Sequence, residues 1–123
     1  MRAAVILLIF TFLSSPLTGS AETILNAFPS TKVTSTDKFT TRSELNRQQQ
    51  IANRVIIEKI DDKYYWTTRQ NHELFPTKSG LYMIFIDPMG SGYVKVNVNS
   101  GEFIEHVHLG LQTITYWGSI NDE

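Results

Sequence analysis

Between Leu81 and Leu109 the sequence runs LYMIFI, DPMGSG, YVKVNVN, SG and EFIEHVHL, three strand-like stretches divided by two turn signals. In YVKVNVN every second residue is apolar, and a strand sends successive side chains to opposite faces. Asp87–Gly92, with a Pro and two Gly, is the strongest turn signal in the chain. Few arrangements other than consecutive antiparallel hairpins satisfy this pattern. Pairing Ile86 with Tyr93 sets Phe85 opposite Val94, Met83 opposite Val96 and Leu81 opposite Val98. A two-residue turn at Ser100-Gly101 then sets Val98 opposite Phe103, Val96 opposite Glu105 and Val94 opposite Val107. One face collects Leu81, Met83, Phe85, Val94, Val96, Val98, Phe103, Val107 and Leu109, and a one-residue slip would scatter that set. The other face carries Tyr82, Ile84, Ile86, Tyr93, Lys95, Asn97, Ile104, His106 and His108. It is too apolar to lie entirely in water, so a helix of the same chain is expected to cover it, or else a partner.

Elsewhere the signals are sparser. Residues 54–60 and 63–69 read as strands around an Asp61-Asp62 turn, and 72–80 as a loop containing Pro76 and Gly80. Gly110 bends the chain before a last strand at 111–117. Thr41 and Glu44 have capping-box spacing and predict a helix over 41–53, with a thin apolar stripe of Leu45, Ala52 and Val55. Residues 22–40 are rich in Ser and Thr without a helical period. The expected fold class is therefore α+β, mainly antiparallel β: a twisted five- to six-stranded meander with one short N-terminal helix. Its expected organisation is a signal peptide at 1–21, a linker or loosely ordered segment at 22–40, and a single small β-rich domain at 41–123.

The signal-peptide expectation rests on Arg2, the apolar run Ala3–Leu13, Pro16, and the small residues Gly19, Ser20 and Ala21 before a cleavage site after Ala21. The run is shorter than the ~20 residues a membrane helix needs. It predicts a periplasmic or secreted protein. Of the 11 Lys+Arg, Arg2 lies in this leader, leaving ten against 12 Asp+Glu, with no basic cluster. That balance excludes an electrostatic nucleic-acid or membrane-surface binder. The chain has no Cys, which removes disulfides, Cys-ligated zinc, a thiol nucleophile and a lipidated cysteine.

Candidate chemistry is confined to a few residues. His106 and His108 stand two apart on one strand face and are the candidate metal ligands. The stretch Gly101-x4-His106-x-His108-x3-Gln112-x5-Gly118 is similar to the first metal motif of the cupin family. That resemblance implies His106, His108 and Gln112 as ligands. Lys95, opposite His106 in the proposed register, would oppose a divalent ion, which favours two histidines on a polar edge. Glu105 is the one charge on an apolar face and the candidate general acid, with pairing to Arg54 or Arg69 as its structural alternative. Ser91 lies in a turn without a nucleophile elbow. Exposed aromatics suit recognition, and Tyr65, Arg69, Tyr93 and His108 form the candidate binding set. The expected function is a small, exported, non-enzymatic binding or interaction module without a cofactor, whose partner is an envelope protein, a glycan or a second copy of itself. The alternative is a metal-binding protein or metal-dependent enzyme centred on His106 and His108.

Overall fold

Ten antiparallel strands and one short helix make up the computed structural model, which describes residues 21–120. The signal-peptide segment up to Ser20 lies outside the described residues. The strands are β1 (Ala21–Ala27), β2 (Pro29–Ser35), β3 (Thr40–Glu44), β4 (Val55–Ile60), β5 (Lys63–Trp66), β6 (His72–Ser79), β7 (Tyr82–Ile86), β8 (Gly92–Asn97), β9 (Glu102–Leu109) and β10 (Gln112–Ser119). The helix α1 spans Arg47–Ala52, between β3 and β4. The sheet order is β1-β4-β5-β6-β7-β8-β9-β10-β2-β3.

Seven strands, β4 to β10, follow one another as a meander. Only Phe28 separates β1 from β2, yet β1 pairs with β4 and β2 with β10, at opposite ends of that meander. The segment 21–35 is thus one long strand, bent at Phe28, that joins first to last and wraps the sheet around a core. The seam is tight. A Cβ on Gly118 would lie 2.7 Å from the Phe28 carbonyl oxygen and 2.9 Å from Pro29 Cα. Only a glycine lets β10 approach the bend there, and at the same place β2 carries a bulge, with Ser30 the extra residue between Pro29, opposite Gly118, and Thr31, opposite Trp117.

The inward faces build one core. Leu25, Ala27, Val55, Ile57, Trp66 and Leu74 from β1, β4, β5 and β6 meet Phe85, Val94, Val96, Phe103 and Val107 from β7, β8 and β9. Each fully buried large side chain among them contributes roughly 1.5–3 kcal/mol of transfer free energy. A smaller cluster joins Leu45 to Ile114 and Tyr116 on the inward side of β10. There α1 is held by Asn53, whose Oδ1 accepts a bond from the Tyr116 hydroxyl at 3.0 Å, and by Arg47 over the Phe28 ring.

This architecture corrects the expected five- to six-stranded α+β meander: the protein is nearly all antiparallel β, with ten strands and one six-residue helix. Three segments account for the difference. Residues 22–40, read as a linker, hold β1 and β2, whose Thr, Ile and Val residues favour a pleated backbone. A bulge between Thr23 and Leu25 breaks the period that would have announced β1. Residues 40–44 form β3 on the free edge of β2, so Thr41 and Glu44 are strand residues. The capping box lies further on, where the Asn46 side chain accepts from the Gln49 amide and the Gln49 side chain from the Asn46 amide. Residues 72–79, read as a loop because of Pro76, form β6. Its pairing to β5 ends at Leu74, leaving one edge open where a residue without an N–H is tolerated.

The proposed hairpin register holds for β7 and β8, with Ile86 opposite Tyr93, Phe85 opposite Val94 and Met83 opposite Val96. Between β8 and β9 it is displaced by two residues: Val96 faces Phe103 and Val94 faces Glu105. Asn97 causes the shift, because its Oδ1 accepts the backbone N–H groups of Asn99 and Ser100 and turns the chain early. An even displacement preserves strand parity, so Phe85, Val94, Val96, Phe103 and Val107 are buried as expected, whereas Leu81, Val98 and Leu109, at strand ends and turns, are exposed.

Candidate functional site

Two buried polar clusters and one open face hold the residues capable of chemistry. The first cluster surrounds Glu105, whose side chain is fully buried. Arg69 donates to it through Nε (3.1 Å to Oε2) and Nη2 (3.0 Å to Oε1), and Trp66 Nε1–H donates to Oε2 at 2.8 Å. The Arg69 guanidinium also lies over the Tyr116 ring. Burial pushes the Glu105 carboxyl above its ordinary range, and the bonds from Arg69 and Trp66 offset only part of that. Every acceptor position that faces a donor is filled. Glu105 is a core ion pair, of the kind the alternative reading with Arg69 described.

The second cluster pins the β7–β8 turn. Asp87 is buried, and its Oδ2 accepts from His72 Nδ1 at 2.7 Å and from the Ser91 hydroxyl, while Oδ1 accepts from the Met89 amide at 2.8 Å. Desolvation pushes the Asp87 carboxyl up, but bonds from Ser91, His72 and Met89 outweigh it and hold it below its ordinary value. An ionised carboxylate only accepts, so the His72 proton on this side belongs to Nδ1. Asp, His and Ser are all present, yet Asp87 and Ser91 both approach the same ring nitrogen, with Ser91 Oγ 3.4 Å from Nδ1. A nucleophilic relay needs the serine and the carboxylate on opposite nitrogens. The trio is therefore a latch for the turn, seated under Gly92, where a Cβ would stand 1.9 Å from the His106 carbonyl oxygen.

No family model, curated protein or solved structure matches the chain. The reading of function rests on the geometry.

The candidate binding set is only partly gathered: Arg69 and His108 line one pocket of about 210 Å³ with His72 and Ser91, and Tyr65 and Tyr93 lie outside it. Tyr93 and His108 share the outer face, linked by His106, whose ring stacks on Tyr93 at 5.2 Å and meets His108 edge-on at 4.9 Å. Arg69 points inward to Glu105, and Tyr65 lies on β5 between Glu58 and Glu73. The metal candidates stand side by side, but His106 Nδ1 shares a hydrogen bond with Thr115 Oγ1 at 2.9 Å. Among the described residues no group of three His, Cys, Asp or Glu is placed to hold an ion. Gln112 begins β10 opposite Leu109, and Lys95 faces Ile104 instead of His106. Burial and the neighbouring His108 hold His106 below the usual histidine value.

The outer face of β7–β10 is the remaining feature. Across the strands run the rows Ile84–Lys95–Ile104–Trp117 and Ile86–Tyr93–His106–Thr115. The expected helical cover is not there, because α1 packs on the inward side of β10. Tyr82, Ile86 and Trp117 stay 39%, 42% and 39% exposed. A groove of about 440 Å³ opens at one end of this face, lined by Tyr82, Lys95, Asn97, Glu102, Ile104 and Trp117 with Ser30 and Ser119. Tyr82, Lys95, Asn97 and Ile104 were assigned to this face from the alternation. Trp117 was missed as a member because its strand begins after the Gly110 bend, and Ser30 because it lies in β2. Among the described residues no helix is long and apolar enough to cross a membrane.

Proposed function

We propose that this protein is a non-enzymatic binding module that acts outside the cytoplasm and recognises its partner with the outer face of β7–β10. One observation carries the reading: among the described residues, no element packs over the sheet face that holds Tyr82, Ile84, Ile86, Tyr93, Ile104 and Trp117. An antiparallel sheet that faced only water would alternate to polar residues there. Exposed Tyr and Trp supply large contact area at small cost in side-chain entropy, which suits a recognition surface. The polar clusters favour binding over catalysis, since Glu105 and Asp87 have their acceptor oxygens committed to neighbouring donors. The leader-like segment at the N-terminus supports export.

The test places a charge in the centre of the face. Ile104→Asp should leave the unfolding midpoint nearly unchanged and abolish capture of the partner from the extracytoplasmic fraction of the source cells. Tyr65→Ala, on β5 and outside this four-strand face, should capture as the wild type does. Equal capture by wild type and Ile104→Asp would end this reading.

A further inference from the structure

We infer that the groove between Tyr82 and Trp117 is a binding site for a neutral saccharide. This inference rests on the proposed role of the outer face and names its ligand class. The groove volume, about 440 Å³, falls within the range of roughly 300–1,000 Å³ typical of small-molecule sites. Its apolar elements are Ile104 and the indole of Trp117, neighbours across β9 and β10. Tyr82 forms the opposite wall with the Lys95 ammonium 4.4 Å above its ring.

The polar groups decide the ligand. Asn97 is oriented by its own turn, since Oδ1 accepts from Asn99 and Ser100. Its Nδ2–H₂ has no partner among the described residues and is a preset donor. Lys95 is a second donor. Glu102 contributes acceptors, as does Ser30, whose hydroxyl proton goes to the Trp117 carbonyl and leaves its oxygen lone pairs. Neither Lys95 nor Glu102 forms an ion pair among the described residues. One cation and one anion make the groove neutral: an anionic ligand would lie against Glu102, and a cationic one against Lys95. A lipid chain would desolvate both charges without compensation. The groove lies on a sheet face, not an edge, so a peptide gains no backbone ladder there. A sugar ring fits all of these conditions. Its hydroxyls each donate and accept, and its C–H face can rest on an indole.

Trp117 also supplies the readout. The chain has two tryptophans, and Trp66 is fully buried, so acrylamide quenching reports on Trp117. The purified protein is titrated with neutral tri- and tetrasaccharides of glucose, galactose, mannose and N-acetylglucosamine, with their uronic-acid counterparts, and with neutral tripeptides. At least one neutral saccharide should protect Trp117 at millimolar concentration, and the matching acidic sugar should bind several-fold more weakly. By calorimetry, Trp117→Ala should weaken binding about tenfold or more, as expected for an aromatic anchor. Lys95→Met and Glu102→Gln should each weaken it several-fold, and Lys59→Met should not. Protection by acidic sugars or tripeptides alone, by nothing in the panel, or undiminished binding in Trp117→Ala overturns the assignment. If no saccharide binds but Ile104→Asp still abolishes partner capture, the saccharide inference fails and the outer-face reading stands. If neither effect is seen, both fail.

Discussion

Removing Arg69 tests the account of the core most directly, because the pair it forms with Glu105 is lopsided. The Glu105 side chain is 0% exposed and the Arg69 side chain 29%. In Arg69→Met the carboxylate keeps only the Trp66 donor and no countercharge, a loss expected to cost about 3–5 kcal/mol. In Glu105→Leu the guanidinium can turn to water and only the Trp66 N–H is orphaned, for about 1–3 kcal/mol. The double variant Arg69→Met/Glu105→Leu has no buried charge, so it should be more stable than Arg69→Met alone. Urea unfolding followed by far-ultraviolet circular dichroism reads these differences. With a slope of about 1–3 kcal/mol/M, the Arg69→Met midpoint should fall by about 2 M. The pH response has a definite sign. Without Arg69 the Glu105 carboxyl is raised further in the folded state, so its contribution to stability is greatest below the ordinary value of 4.5 and is lost as pH rises. The Arg69→Met deficit should therefore shrink between neutral pH and pH 4.5. A cost below about 1 kcal/mol at neutral pH, or a deficit equal at both pH values, would refute the claim that Glu105 is held as a buried carboxylate by Arg69.

Asp87 titrates in the opposite sense. Its folded carboxyl is held below 3.8, so its stabilisation is complete above that value and is lost as pH falls through the folded pKa. The stability gap between wild type and Asp87→Asn, about 1–3 kcal/mol when the carboxylate is ionised, should close in that acid range by chemical denaturation. Gly118→Ala places a methyl 2.7 Å from the Phe28 oxygen and 2.8 Å from the Phe103 ring. It should destabilise by about 1–3 kcal/mol, with amide protection lost first between β2 and β10. Asn46→Ala removes the acceptor for the Gln49 amide. It should cost about 1 kcal/mol, and faster exchange at Gln49 and Gln50 with an unchanged core would mark it as local.

What could be read in the sequence followed one physical rule, that a strand's faces are set by parity. The inward positions Phe85, Val94, Val96, Phe103 and Val107 were legible because each is flanked by residues of the other face, and a two-residue displacement at Asn97 did not disturb them. The outer face was legible for the same reason, down to Tyr82, Lys95 and Asn97. What was not legible depended on closure. Nothing local distinguishes β1 and β2 from a Ser/Thr-rich linker, since their pairing to β4 and β10 exists only once the meander has brought its ends together. Residues 41–44 read as helix because the Thr41–Glu44 spacing matches a cap, whereas β2 offers a free edge that no local pattern reveals. The candidate site inherits both outcomes. Tyr93 and His108 were correctly placed together on one face. For Arg69 the sequence offers both a place in the binding set and a pairing with Glu105, and the second holds: Glu105, 36 residues away on β9, draws the guanidinium inward. Trp117 joins the groove only through its pairing with Ile104 across β9 and β10. A recognition surface built across four strands is thus specified by register, and a substitution that slips β9 against β10 by one residue would dismantle it while keeping the composition of the face.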